Sequence, residues 1–292
     1  MRWALVSGMY NVVDLATEFC RYHLSLGVDK IFVADYGSDD GTLDLLDPFV
    51  RARQAEVITL PTHNFASYDP SNVILGMIRE TDAADWVSFL DPDEFLIGSA
   101  NPKDLLAREY ARGVEAIAIA RRNLTGVGPV SSHSHYLTHL TFKIVKTDAR
   151  ASDPAAPLFS PWIFSRLPPK VMISAQSGLT TITGDHDVRG HVEPMGQSSS
   201  MEILHLPVRS YKAFEEKIEC AVKYYAQNPE LGPGIGWHWR RWITLLEKGQ
   251  LREEYEKQFL EASEADSLFA EGRIARETRL ASWLTNQPNL RR

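Results

Sequence analysis

Four short apolar runs separated by segments of helical period fill the first ninety residues, and this alternation constrains the fold more than any other feature of the chain. Residues 3–7 read as a strand. Asn11 then precedes Leu15, Phe19, Tyr22 and Leu26, which share one helical face, and Gly27 ends that helix. Residues 31–34 are again strand-like, 35–42 form a polar turn, and a helix runs from there to about Arg53. A third strand over 57–60, a helix over 71–81 and a fourth strand over 86–90 follow. Strands alternating with helices require right-handed crossovers, so an α/β fold with a mostly parallel sheet flanked by helices is expected. Ligands in such sheets bind beyond the carboxyl ends of the strands, where the strand order reverses. With the order 3-2-1-4, Asp35 after the second strand and Asp91 to Glu94 after the fourth flank one crevice.

The acidic run Asp91, Pro92, Asp93, Glu94, Phe95 sits at the mouth of that fourth strand. Three carboxylates in four residues repel one another and lose hydration, which calls for a cation to neutralise them. Oxygen ligands suit Mg²⁺ or Mn²⁺ better than zinc, and such a metal usually completes its shell with substrate phosphates.

Further along, 115–120 and 141–145 read as strands. The interval 151–169, with Pro154, Pro157, Pro161, Pro168 and Pro169, reads as a long loop of the kind that forms lids. From Ser210 the pattern turns helical, with Tyr211, Phe214, Ile218 and Val222 in period. The division expected is therefore a domain over 1–209 and a helical region over 210–292. With 31 basic and 38 acidic residues the net charge is −7, which argues against a nucleic-acid partner. Cys20 and Cys220 offer neither a disulfide framework nor metal-ligand spacing, and no apolar run reaches the roughly 20 residues of a membrane span. A cytoplasmic protein with no transmembrane segment is expected, with peripheral membrane contact left open.

The first helix carries Glu18, Phe19, Cys20, Arg21, Tyr22, His23, Leu24, Ser25, Leu26, Gly27, Val28, Asp29; the turn Asp35, Tyr36, Gly37, Ser38, Asp39, Asp40, Gly41, Thr42 and the run Leu90 to Phe95 follow in order. This combination resembles the family 2 glycosyltransferases of the GT-A fold, in the branch that carries a D-x-D motif. The resemblance covers about the first hundred residues. It implies a GT-A-like, Rossmann-like domain and a hexosyltransferase-type enzyme that binds a nucleotide-diphosphate sugar, with Asp35 at the nucleoside and Asp91 and Asp93 at the ribose and at a Mn²⁺ or Mg²⁺ on the diphosphate. Neutralising that leaving group lowers the barrier. Lys170 resembles a lysine that precedes a strand in these enzymes and could face the diphosphate. His186 and His205 are the candidates for a histidine completing the metal shell. One departure is Val12 after Asn11, where related sequences often have glutamate.

An inverting transfer to a hydroxyl acceptor needs a carboxylate base. Asp185, Asp187 and Glu94 are the candidates, with Asp187 favoured. The cluster Trp237, His238, Trp239, Arg240, Arg241, Trp242 could stack a sugar, although Trp239 and Trp242 share a helical face and read better as core. The alternatives are a nucleotide-binding protein that keeps the crevice without catalysis, and an aspartate-nucleophile phosphohydrolase. The latter usually carries its motif after the first strand, whereas here it follows the fourth.

Overall fold

The structure, a computed structural model, describes residues 1–60, 69–152, 161–182, 184–190, 196–229, 231–232 and 236–287. In chain order the elements are β1 (Trp3–Met9), α1 (Ala16–Ser25), β2 (Lys30–Asp35), α2 (Thr42–Arg51), β3 (Ala55–Thr59), α3 (Pro70–Glu80), β4 (Trp86–Phe89), β5 (Glu94–Gly98), α4 (Pro102–Ala111) and β6 (Ala116–Thr125). There follow α5 (Tyr136–His139), β7 (Phe142–Ile144), β8 (Lys170–Ser174), the pair β9 (Thr180–Thr181) and β10 (Val188–Arg189), and β11 (Gly196–His205). The chain ends in α6 (Tyr211–Gln227), α7 (Trp237–Glu247), α8 (Leu251–Glu256), α9 (Ala262–Ala270), β12 (Ile274–Arg276) and α10 (Arg279–Thr285). Two compact units result, Met1–Arg121 with Pro168–Leu204, and Arg122–Leu167 with His205–Arg292. The second unit thus includes 122–167, within the region expected to belong to a domain over 1–209; the chain leaves the first unit within β6 and returns just before β8.

In the first unit β3, β2, β1 and β4 lie side by side in that order, all parallel, which is the 3-2-1-4 order that the crevice between Asp35 and Asp91 requires. The sheet is mixed beyond that point: β8 runs antiparallel to β4, and β6 antiparallel to β8. The fold class is α/β as expected, with the parallel pairing confined to four strands. Every residue of β1 except Gly8 is buried, and so is all of β4, as a sheet covered on both faces requires. On one face Leu5, Met9, Phe19, Ile31, Val33 and Leu46 pack with Leu106 and Ile203; on the other Val6, Phe32, Ile74, Ile78 and Phe89 pack with Ile173. Trp3 Nε1–H donates to Ser88 Oγ at 2.5 Å, tying β1 to β4 inside the core.

The helix-forming pattern of α1 buries Phe19, Cys20, Tyr22 and His23. That face receives β5, the strand that directly continues the acidic run and was not expected from the sequence. Tyr22 Oη–H donates to the Leu96 carbonyl at 2.8 Å, and His23 Nε2 accepts the Leu96 N–H at 3.3 Å. His23 Nδ1–H donates to the Phe19 carbonyl at 2.9 Å. Phe95 is fully buried against Phe19 and Tyr22, with ring centroids 6.2 and 5.3 Å away; burial of such a side chain stabilises by about 1.5–3 kcal/mol. In α3, Asp69 accepts the Asn72 N–H and Pro70 takes the first turn, where its missing N–H costs nothing.

In the second unit the end of β6 pairs with β7, and β7 with β12, both antiparallel. Phe142, Ile144, Ile163, Phe164, Leu260 and Ile274 form one core cluster there. The helical region from Ser210 is present as α6 to α10, but β12 interrupts it. Phe214 and Ile218 are buried on α6 as the period demands, whereas Val222 is exposed. Residues 153–160 of the proline-rich 151–169 interval, including Pro154 and Pro157, lie outside the described residues; further on, 162–164 form a buried 3₁₀ turn.

Candidate active site

Asp35 is the last residue of β2 and pairs in register with Met9 of β1; Asp91 follows the end of β4, which pairs with β1 from the other side. The two carboxylates therefore leave the sheet at the same edge, on either side of β1. The Asp35 carboxylate is buried and accepts the N–H groups of Gly37 at 3.0 Å and Ser38 at 3.2 Å, so the turn holds it in place. The β1–α1 loop is laced to the same turn. Asn11, in the left-handed region at φ 50°, exchanges hydrogen bonds with Asp39 at 2.8 and 2.9 Å. The Val12 N–H donates to Thr42 Oγ1 and the Val13 N–H to Asp40. At Val12, the point of departure from the family pattern, it is the backbone that makes the contact.

The acidic run meets two cations. Because β8 is antiparallel to β4, its first residue, Lys170, stands where β4 ends. Lys170 Nζ lies 3.1 Å from Asp91 Oδ2 and 3.7 Å from Glu94 Oε2, and donates to the Gly184 carbonyl at 3.0 Å. Only 1% of Lys170 is exposed. Arg121 Nη1 donates to Glu94 Oε1 at 2.6 Å, while the Asp91 N–H donates to Glu94 Oε2 at 2.9 Å. Glu94 is fully buried, whereas 52% of the Asp91 side chain is open. Desolvation alone would pull the Lys170 pKa down, yet Asp91, Glu94 and Asp185 outweigh it and leave it raised. For Asp91 the crowded surroundings push the pKa up, and the Lys170 ammonium more than reverses this, so it ends lowered. Glu94 ends raised, with burial ahead of Lys170 and Arg121. Asp93 is buried too.

The segment Asp185, His186, Asp187 forms the tip of the β9–β10 hairpin, where the Ile182 N–H donates to the Asp187 carbonyl at 3.1 Å. Several bonds staple this tip to the start of β8 and to α3. The Val171 N–H donates to the Asp185 carbonyl at 3.0 Å, His186 Nδ1–H to the Pro169 carbonyl at 2.9 Å, and Ser71 Oγ–H to Asp185 Oδ2 at 3.1 Å. Asp185 adopts φ 56°, a conformation that aspartate tolerates better than most residues. Burial pushes its carboxyl up to about 6, against the opposing pull of Lys170 and of hydrogen bonds from Thr181 and Ser71. Desolvation, with Arg121 and Lys170 nearby, drops His186 to about 4. Asp187, the base favoured from sequence, is exposed, and its carboxylate accepts the N–H of its neighbour Val188 at 2.8 Å.

These positions bear on the metal expected at Asp91, Asp93, His186 and His205. Among the described residues no three His, Cys, Asp or Glu side chains converge to hold a metal ion. His205 belongs to the second unit, where its Nδ1 bonds Asn123 Oδ1 at 2.7 Å and its ring meets Trp162 edge-on. One oxygen of Asp91, Oδ2, already faces an ammonium, that of Lys170. The side chains in place do not fit a preassembled divalent site. Arg121 was missed from sequence; the available signal was a charged residue directly after the apolar residues 116–120, the same signature that marks Asp91 after 86–90.

In the second unit Trp242 is buried, edge-on to Trp162 and Phe214, and its Nε1–H donates to Glu254. It is core, and Trp239 lies half-buried beside it at 5.7 Å. His238 stacks on Trp162 at 4.9 Å, and burial holds it at about 3.

Residues 6–120 match the model of glycosyltransferase family 92. No curated protein sequence matches the chain. Among solved structures, S. aureus TarS is 18% identical with a TM-score of 0.39, the match covering 60% of this chain and 28% of that one. The mannosyltransferase PcManGT from Pyrobaculum calidifontis, in complex with GDP-Man and Mn²⁺, is 14% identical at a TM-score of 0.37, over 99% of this chain and 80% of that one. Glucosyl-3-phosphoglycerate synthase from Mycobacterium tuberculosis is 18% identical at 0.29, over 60% and 57%. This chain thus spans about a quarter of the length of TarS. All three likenesses lie at TM-scores below 0.5. The family match names family 92 rather than family 2, and it covers the segment from within β1 to within β6.

Proposed function

We propose that the chain is a glycosyltransferase that moves a sugar from a nucleotide-diphosphate sugar to a hydroxyl acceptor with inversion. The observation that carries the reading is the placement of Asp35 and of the Asp91 to Glu94 run at one sheet edge, on either side of β1, within the matched segment. Open α/β sheets bind nucleotides at such a reversal of strand order. Asp35 takes the nucleoside: its turn bonds use two of the roughly four acceptor sites of a carboxylate, leaving capacity for a base or ribose donor. Asp91, the open member of the run, faces the ribose, and Lys170 faces the diphosphate.

In the transfer the acceptor oxygen bonds to the anomeric carbon from the face opposite the diphosphate. The bond from that carbon to the phosphate oxygen breaks, its electron pair leaves on the diphosphate, and the acceptor proton passes to a carboxylate. Asp185 suits the last role better than the other candidates. Asp187 is exposed on its turn, and Glu94 is clamped by Arg121 and the Asp91 N–H. Asp185 sits beside Lys170 with a carboxyl poised near neutrality, which is where a general base works best.

The test is a screen of the common nucleotide sugars for binding and turnover. Uridine or guanosine diphosphate is expected to raise the thermal midpoint, and Asp35→Ala to abolish that rise. Absence of both a shift and any sugar-nucleotide turnover across the panel would sink the proposal.

A further inference from the structure

Two of the carboxylates of the acidic run, Asp91 and Glu94, are paired with cations before any ligand arrives. Asp91 and Glu94 share Lys170, Glu94 also holds Arg121, and both cations are fixed by the backbone, Lys170 through the Gly184 carbonyl and Arg121 through the Pro168 carbonyl at 2.8 Å. The Lys170 and Arg121 side chains are only 2% and 7% exposed, and a buried ammonium so held is a permanent resident, unlike a surface lysine that swings in solvent. A divalent ion at Asp91 would have to displace Lys170 from 3.1 Å or sit against its charge. Removing the ammonium would also leave Glu94 with one cation fewer in a fully desolvated place.

From this geometry we infer that Lys170, supported by Arg121, stands in for the divalent cation, so that the protein neutralises the departing diphosphate without a bound metal. The inference rests on the glycosyl-transfer reading for its catalytic half; its structural half, that the acidic run holds no divalent ion while Lys170 is there, stands by itself. The fixed positive charge of Lys170 beside Asp91 stabilises negative charge as it accumulates on the diphosphate, the electrostatic part of the role a metal otherwise fills. Asp91 then positions the ammonium and contacts the donor, rather than ligating a metal.

Two measurements separate the inference from the functional reading beneath it. The first titrates MnCl₂ alone into the chelator-treated full chain and follows free Mn²⁺ by its magnetic-resonance signal. No saturable uptake is expected below about 1 mM, whereas one ion bound in the micromolar range would overturn the inference whatever the enzyme does. The second compares nucleotide-sugar turnover in excess chelator and in Mn²⁺. Equal rates are expected, and stimulation by Mn²⁺ of about tenfold or more would overturn it. If neither condition gives turnover, the glycosyltransferase reading fails and the first measurement alone judges the site. Lys170→Met is expected to bind Mn²⁺ and to lose turnover in chelator; a folded variant that keeps full metal-free turnover would overturn the role of Lys170. Should that variant not fold, Lys170→Arg keeps the charge and is expected to retain metal-free turnover, and loss of turnover restored by Mn²⁺ would count against the inference.

Discussion

At the scale of single residues, environment assigns roles that residue type leaves open. Asp185 and Asp187 are the same amino acid two positions apart. One is buried against Lys170 and Ser71, and the other faces solvent. Asp185→Asn should therefore lower kcat by about 10²–10⁴-fold while nucleotide affinity holds, and Asp187→Asn should leave both almost unchanged, as initial rates and nucleotide titrations will show. Because the base must be deprotonated, the wild-type rate should rise with pH through about 6 and then level. A flat profile between pH 5 and 7 would contradict that assignment. The two aspartates were both candidates in the sequence, but their ranking was not legible there, since it depends on α3 and β8 arriving from remote parts of the chain.

At the scale of elements, the motif on α1 acquires a physical meaning. Tyr22 and His23 do not reach the candidate site; they bond the backbone of β5, the strand that continues the acidic run. Removing the His23 ring leaves the Leu96 N–H without a partner inside the core, at a cost of about 1–3 kcal/mol, and opens a void beside Phe95. His23→Ala should therefore destabilise by about 2–4 kcal/mol in a denaturant titration, and should also loosen the acidic run enough to lower activity. If the variant kept wild-type stability, the tie between α1 and β5 would not be what holds that strand. Elements β1 to β4 and the helices between them were readable because a buried parallel sheet demands continuous apolar runs. Strand β5 was not, because the acidic residues at its start hide its period and its pairing is with a distant strand, β11.

At the scale of the whole molecule, three histidines set the response to acid. Burial holds His23 and His238 at about 3 and His186 at about 4, while in the unfolded chain they return to about 6.5. Each is a base whose folded value is depressed, so its neutral form contributes fully above about 6.5 and that contribution is lost as pH falls towards 4, by up to about 1.4 kcal/mol per pH unit per histidine. Asp185 works the other way. Its raised value adds stability as pH falls through 6, and Glu94, also raised, acts in the same sense, but these are two groups against three. Unfolding free energy should thus drop between pH 7.5 and pH 5, and the drop should be smaller in a folded His238→Asn variant. An unchanged unfolding free energy across that range would show that these rings accept protons in the folded state.

The sequence by itself determined the first four strands, the helices between them, and the placement of Asp35 and Asp91 at strand ends, because apolar periodicity and crossover handedness are local properties of the chain. Tertiary structure decided the rest. Lys170 reaches Asp91 only because β8 runs antiparallel to β4, and Arg121 reaches Glu94 only because β6 runs antiparallel to β8. Strand direction is a property of the assembled sheet and not of any segment. That is why the acidic run, which in isolation calls for a metal, is found already paired with two side chains from elsewhere in the chain.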